Sequence, residues 1–161
     1  MVVDGLVYNQ KFNPMEPHFY KVDVNWKNTR MGQLSSPEIG LADDKTIIVT
    51  TPPEFPNGIA GYWSPEHLFT AAVSSCLMTT FLAIAENSKL EFVSFSCKSS
   101  GKLEQIEGKF LMSEILLEPT VVLKDEKDSE RAERVLQKSE AACLISNSIT
   151  SKINMVTTIK F

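Results

Sequence analysis

Histidine and cysteine are scarce in this chain of 161 residues: His18 and His67 are the only histidines, and Cys76, Cys97 and Cys143 the only cysteines. No Cys-x-x-Cys pair occurs, so the usual ligand spacing of a zinc site is missing. A Cys–His relay would have to recruit one of the two histidines, which disfavours hydrolase chemistry. Positive charge is also short. Sixteen Lys and Arg face 20 Asp and Glu, giving a net charge of −4, and the cations are scattered rather than clustered. Nucleic acid and anionic membranes both select a basic face, so neither is expected as a partner. No glycine-rich loop is present to cradle a nucleotide phosphate. The start, Met1-Val2-Val3-Asp4-Gly5, lacks the charged and apolar regions of a secretion signal. An odd number of cysteines without such a signal reads as thiols in a reducing compartment, and the expected location is cytoplasmic.

What is present is ordinary for a folded globular chain: 43% hydrophobic and 22% charged residues. The length suits one domain over residues 1–161, with N-terminal strands in about 1–50, a loop at 51–63 and a helix–strand core from 64 to 161. One run, Leu68 to Ala85, carries no charge and approaches the length of a membrane span. It also contains five hydroxyls, Thr70, Ser74, Ser75, Thr79 and Thr80, and has no companion segment. A central helix covered by protein is the expectation.

His18 to Trp26 alternates apolar and polar residues as a strand does. Asn28 to Gly32 reads as a turn into a second strand near Gly32–Ser35, and Thr46–Thr50 as a third. The breaker-rich Thr51–Gly58 is a loop. Ser64 followed by Pro65 makes a helix start, a side-chain cap and then the residue best suited to the first turn. That helix extends to about Asn87. Glu91–Cys97 and Phe110–Leu123 are extended, and Asp128 or Ser129 caps a second helix whose apolar face includes Ala132, Val135, Leu136 and Cys143. Ile153–Phe161 closes as one strand. The order β-β-β-α-β-β-α-β belongs to the α+β class. The first helix is apolar nearly all round, so a homodimer is expected to cover it.

Cys76 and Cys143 each fall in the apolar run of a different expected helix. A thiol in that setting is usually a small inert hydrophobe. Their flanks differ from pure packing, because Cys143 is followed by the hydroxyl and amide cluster Ser146-Asn147-Ser148. With zinc and hydrolase chemistry disfavoured, a dithiol redox pair is the best chemical use of these residues. Cys97 reads as a structural thiol and His67 as a residue at the helix cap.

Three segments carry a resemblance. Ser64-Pro65-Glu66-His67-Leu68, followed by small residues and Cys76, is similar to the first motif of the OsmC/Ohr family of thiol peroxidases. Cys143-Leu144-Ile145-Ser146-Asn147-Ser148 resembles its second, and Arg30-Met31-Gly32 its Arg-x-Gly turn. Order and spacing agree, so the resemblance spans nearly the whole chain. Leu144 stands where the motif has proline and Ser64 where it has asparagine, and neither change removes a reacting atom.

The resemblance implies an OsmC-like fold, an intertwined homodimer and reduction of organic hydroperoxides to alcohols. Cys76 would attack the peroxide as thiolate and become a sulfenic acid, and Cys143 would condense with it to a disulfide. An external dithiol, with a lipoyl-type carrier as candidate, would reduce that disulfide, and no cofactor in this chain is required. Arg30 is the cation that would offset the burial of Cys76, with Glu66 orienting it. Phe69, Val73 and Leu77, with Phe55 or Trp63, would favour an organic substrate.

Glu66 precedes Cys76 by ten residues, about 15 Å of rise on a regular helix. Either Glu66 lies in a bent turn before the helix, or the site joins Arg30 and Glu66 of one subunit to Cys76 of another. The second arrangement is the expectation. A non-catalytic relative that binds a small apolar ligand or senses redox state at the dimer pocket is the competing expectation.

Overall fold

The computed structural model describes residues 16–161. The opening Met1–Gly5, and the first part of the N-terminal strand region expected over about 1–50, lie outside the described residues. Among those described, the architecture is mixed α+β, with two helices and two sheets.

The first sheet is antiparallel and contains β1 (Asp23–Asn28), β2 (Met31–Ser35) and β3 (Ile47–Thr50) in that order. The expected strand over His18–Trp26 is shifted toward the C-terminus. Pairing begins at Asp23, opposite Ser35, where β2 ends, so the preceding alternating residues have no ladder to join. A bulge between Trp26 and Asn28 leads into the turn that presents Arg30. All of β1 is exposed, with Val24 at 66% and Trp26 at 75%.

The second sheet is built on a long hairpin, β4 (Phe92–Ile106) and β5 (Lys109–Leu123). β4 runs on from the expected end at Cys97 to Ile106, whereas β5 matches the expected Phe110–Leu123 to within one residue. Glu107 and Gly108 form a two-residue connection with φ of 49° and 80°, the geometry of a tight hairpin turn. The expected closing strand is divided into β6 (Lys152–Met155) and β7 (Thr158–Lys160), both parallel to β5. The break faces Glu118 and Pro119. β6 pairs as far as Leu117 and β7 resumes at Thr120, and Pro119 has no N–H to give a ladder.

Helix α1 (Pro65–Asn87) starts as expected, with Ser64 at the N-cap accepting from His67 N and Pro65 in the first turn. It is long and apolar enough by composition to cross a membrane, and only 28% of its most apolar window is buried in the chain. Its buried stripe, Val73, Leu77, Phe81 and Ala85, lies against the hairpin sheet and α2. Gly101 on β4 permits that approach, because a Cβ there would overlap Thr70 Oγ1 and Met112 Cε. Helix α2 (Ser129–Ala141) buries Ala132, Val135, Leu136 and Ser139. Asp128 occupies its N-cap without a side-chain capping bond and instead pairs with Arg131 at 3.5 Å.

The core has two connected parts. Val73, Leu77, Ile115 and Leu117 fill one end, and Phe81, Leu90, Val121, Leu123, Val135 and Leu136 belong to the other. Burial of each such side chain contributes about 1.5–3 kcal/mol. Contacts of the three-stranded sheet with this core are sparse.

Candidate active site

Cys143 is not in a helix. α2 ends at Ala141, and Cys143 lies just beyond, in a turn tightened by Cys143 N–H donating to the Glu140 carbonyl at 3.1 Å. The helix stops because its last carbonyls find other partners. Asn147 Nδ2 donates to the Ala141 carbonyl at 3.0 Å, and Asn147 N–H to the Cys143 carbonyl at 3.0 Å. Ser148 Oγ donates to the Leu144 carbonyl at 2.7 Å, and its N–H to Ile145 at 3.0 Å. The hydroxyl and amide cluster after Cys143 is therefore a wrapping device. It pulls the turn back over the end of α2 and sets the buried Cys143 sulfur beside α1.

There it meets Cys76, which is half-buried on α1. The two thiols are near enough to shift one another's ionisation, and the backbone of Ile145 and Leu144 acts on the Cys76 thiol as well. Thr80, one helical turn on, places its hydroxyl 4.0 Å from the same sulfur. Burial pushes the Cys76 thiol up, but hydrogen bonds from Cys143, Ile145, Thr80 and Leu144 together outweigh it and hold the thiol below its ordinary range. Cys143 moves the opposite way. Burial raises it, donation of its hydrogen to Cys76 raises it further, and the Ser146 hydroxyl and N–H only partly offset this. Ser146 Oγ is buried without a full hydrogen-bond partner, and its polar neighbour is the weakly accepting Cys143 sulfur. The pair is thus asymmetric: Cys76 ionises first, and Cys143 stays a thiol that donates to it.

Arg30 and Glu66 are elsewhere. Arg30 is exposed on the β1–β2 turn, in a groove shared with Val24, Trp26 and Pro65. Glu66 follows Pro65 in the first turn of a regular helix, which removes the bent pre-helical turn as a route to Cys76. Its Oε2 is buried without a hydrogen-bond partner and lies at a cavity of about 740 Å3 lined also by Trp63, His67, Thr70, Cys97 and Met112. No ion pair within 4.0 Å joins Arg30 to Glu66 among the described residues. Of the apolar residues expected to line a pocket, Trp63 does so. Val73 and Leu77 are instead fully buried in the core, Phe69 packs beside them, and Phe55 stacks edge-on against Phe110 with centroids 5.4 Å apart. His67 is at the cap, its Nδ1 2.8 Å from Ser64 Oγ.

Sequence reasoning left three groups around Cys76 unnamed. Thr80 was readable from its place one helical turn after the cysteine. The amides of Leu144 and Ile145 carry no side-chain signature.

The profile of the OsmC-like protein family matches residues 58–158, a span that holds α1, both cysteines and the hairpin sheet. The chain belongs to the OsmC-like family. A curated relative, the uncharacterized protein YmaD of Bacillus subtilis (strain 168), is 25% identical over 146 residues, covering 88% of this chain and 93% of its own. Among solved structures, an OsmC-like protein of unknown function from Vibrio cholerae superposes with a TM-score of 0.75 at 22% identity, covering 88% of this chain and 99% of that one. An organic hydroperoxide resistance protein from Elizabethkingia anophelis gives a TM-score of 0.70 at 21% identity, covering 91% and 98%. These similarities establish the OsmC-like fold.

Proposed function

We propose that this OsmC-like protein is a cytoplasmic, thiol-dependent peroxidase that reduces organic hydroperoxides to alcohols. The observation that carries the reading is the asymmetric thiol pair: a sulfur held toward the thiolate, beside a second sulfur held as thiol. Cys76 thiolate attacks the outer oxygen of the hydroperoxide, the O–O bond breaks, and the alkoxide leaves with a proton as alcohol. The sulfur becomes a sulfenic acid. Cys143 then attacks that sulfur, water departs, and a Cys76–Cys143 disulfide results. An external dithiol, with a lipoyl-type carrier as candidate, reduces it by two exchange steps.

Arg30 and Glu66 complete the site from a second copy of the chain. About 15 Å of regular helix separates Glu66 from its own Cys76, while its buried carboxylate oxygen lacks a partner. Arg30 lines the same groove as Pro65, the residue that precedes Glu66 at the start of the helix. Together they offer a charge that can approach a neighbouring chain's Cys76.

The test is to treat the reduced protein with tert-butyl hydroperoxide, following peroxide consumption and mass under non-reducing conditions. Cys76→Ser should abolish consumption while the far-UV spectrum stays native. Cys143→Ser should stop after one turnover with a single added oxygen. Full activity in the Cys76 variant would overturn the mechanism. The cavity beside Glu66 favours the second reading, a ligand-binding protein, if peroxide leaves both thiols unchanged in mass.

A further inference from the structure

Five hydroxyl side chains lie on α1, and four of them are committed to the helix itself. Thr70, Ser74, Ser75 and Thr79 each donate to a carbonyl three or four residues back, at 2.9–3.2 Å. Such back-bonding is ordinary for Ser and Thr inside a helix. Thr80 departs from it. Among the described residues its hydroxyl meets no carbonyl, and its partner is the Cys76 sulfur at 4.0 Å. The carbonyl four residues back is that of Cys76 itself, and Thr79 already occupies it at 3.1 Å. Two adjacent threonines thus divide Cys76 between them, one on its backbone and one on its sulfur. The spacing of four residues puts the Thr80 hydroxyl and the sulfur on one face of the helix, and both side chains are half-buried.

We infer that Thr80 is a positioning residue for the proposed peroxidase reaction: its hydroxyl, left free by the helix, orients the Cys76 sulfur and donates to it when the sulfur is charged. A hydroxyl has one hydrogen and two lone pairs, so it accepts from the neutral S–H and turns to donate to the thiolate. A donor to the charged form favours that form, which opposes the effect of burial. The titratable group acting on this sulfur from the turn after α2 is Cys143. On α1 the residues one turn either side, Ala72, Val73, Thr79 and Thr80, are uncharged. Thr80 therefore works on the sulfur by hydrogen bonding, and on the peroxide only through the sulfur. Its consequence for turnover rests on the peroxidase reading; its hold on the sulfur does not.

The experiment measures how the rate of Cys76 carbamidomethylation by iodoacetamide depends on pH, read on the Cys76 peptide by mass spectrometry. Thr80→Val keeps the branched shape and removes the hydroxyl. It should raise the midpoint by about half a pH unit and slow the reaction at neutral pH about threefold, the size of one weak hydrogen bond. Thr80→Ser restores a hydroxyl and should return most of the wild-type profile. Thr79→Val loses only the bond to the Cys76 carbonyl and should leave the profile where it was. Coincident profiles for wild type and Thr80→Val would overturn the inference. So would an equal shift in Thr79→Val, or a Thr80→Ser profile that matches Thr80→Val. Should Thr80→Val fail to fold, Thr80→Ala removes the same hydroxyl with the best helix former, and the same comparison decides. With tert-butyl hydroperoxide, kcat/KM of Thr80→Val at neutral pH should fall by the same factor as its alkylation rate. A wild-type chain that ignores the peroxide while the alkylation shift is present would sink the peroxidase reading and leave the hold of Thr80 on the sulfur standing.

Discussion

The ionisation of a single sulfur atom is set by two stretches of chain: a hydroxyl from its own helix, and the thiol and backbone of the turn beyond α2. Burial alone would suppress the thiolate, so its reactivity depends on how many of these donors survive. The contribution of Cys143 can be isolated from its chemistry. In Cys143→Ala the S–H donor is lost, and the pH midpoint for Cys76 alkylation should rise by about one unit. Reactivity at neutral pH falls accordingly, because the thiolate is the nucleophile and less of it is present below the raised midpoint. Cys143→Ser retains a donor hydroxyl and should keep most of the wild-type profile, although neither variant can form the disulfide. Iodoacetamide kinetics across pH distinguishes the two, and equal behaviour would mean that Cys143 acts on Cys76 only by displacing water.

The elements place these atoms through local chemistry that is partly readable in advance. Ser64 and Pro65 announce the start of α1, and the helix begins there. Ser64→Ala should lower stability by about 1 kcal/mol through loss of the cap, seen as a lower urea midpoint with unchanged slope. The packing of α1 on the hairpin is harder to foresee, since it depends on Gly101 lying opposite Thr70 and Met112. Gly101→Val should cost about 1–3 kcal/mol by overpacking, and an unchanged melting temperature would show that the helix can withdraw freely. Where sequence patterns fell short, the cause was non-local. Nothing near Ile153–Phe161 says that the strand will divide, because the divider, Pro119, sits on β5. Cys143 continues the apolar face of α2 in the sequence, yet Asn147 reaches back and ends the helix first. The Glu107–Gly108 turn lacks the Asn-Gly or Asp-Gly pair that usually betrays a hairpin. The two cysteines were legible because side chains carry their chemistry; the amides of Leu144 and Ile145 were not, because every residue but proline has one.

At the scale of the whole molecule, one chain leaves much apolar surface uncovered. Met78 and Leu82 on α1 are 39% and 42% exposed, and Trp26 on β1 is 75% exposed. The same chain leaves the buried Oε2 of Glu66 without a hydrogen-bond partner and Arg30 in a solvent-facing groove. A two-fold dimer answers both conditions if each site combines Arg30 and Glu66 of one subunit with Cys76 and Cys143 of the other. That arrangement makes a prediction no single-chain site can imitate. Arg30→Ala and Cys76→Ser are each expected to be nearly inactive toward tert-butyl hydroperoxide as pure proteins. When the two are unfolded together and refolded as a mixture, half of the dimers are hybrids. One site in each hybrid has both lesions, and the other has an intact Arg30 facing an intact Cys76. Activity should therefore return to about one quarter of wild type, following random pairing of symmetric subunits. If Arg30 served the Cys76 of its own chain, every site in the hybrid would carry one lesion and the mixture would stay inactive.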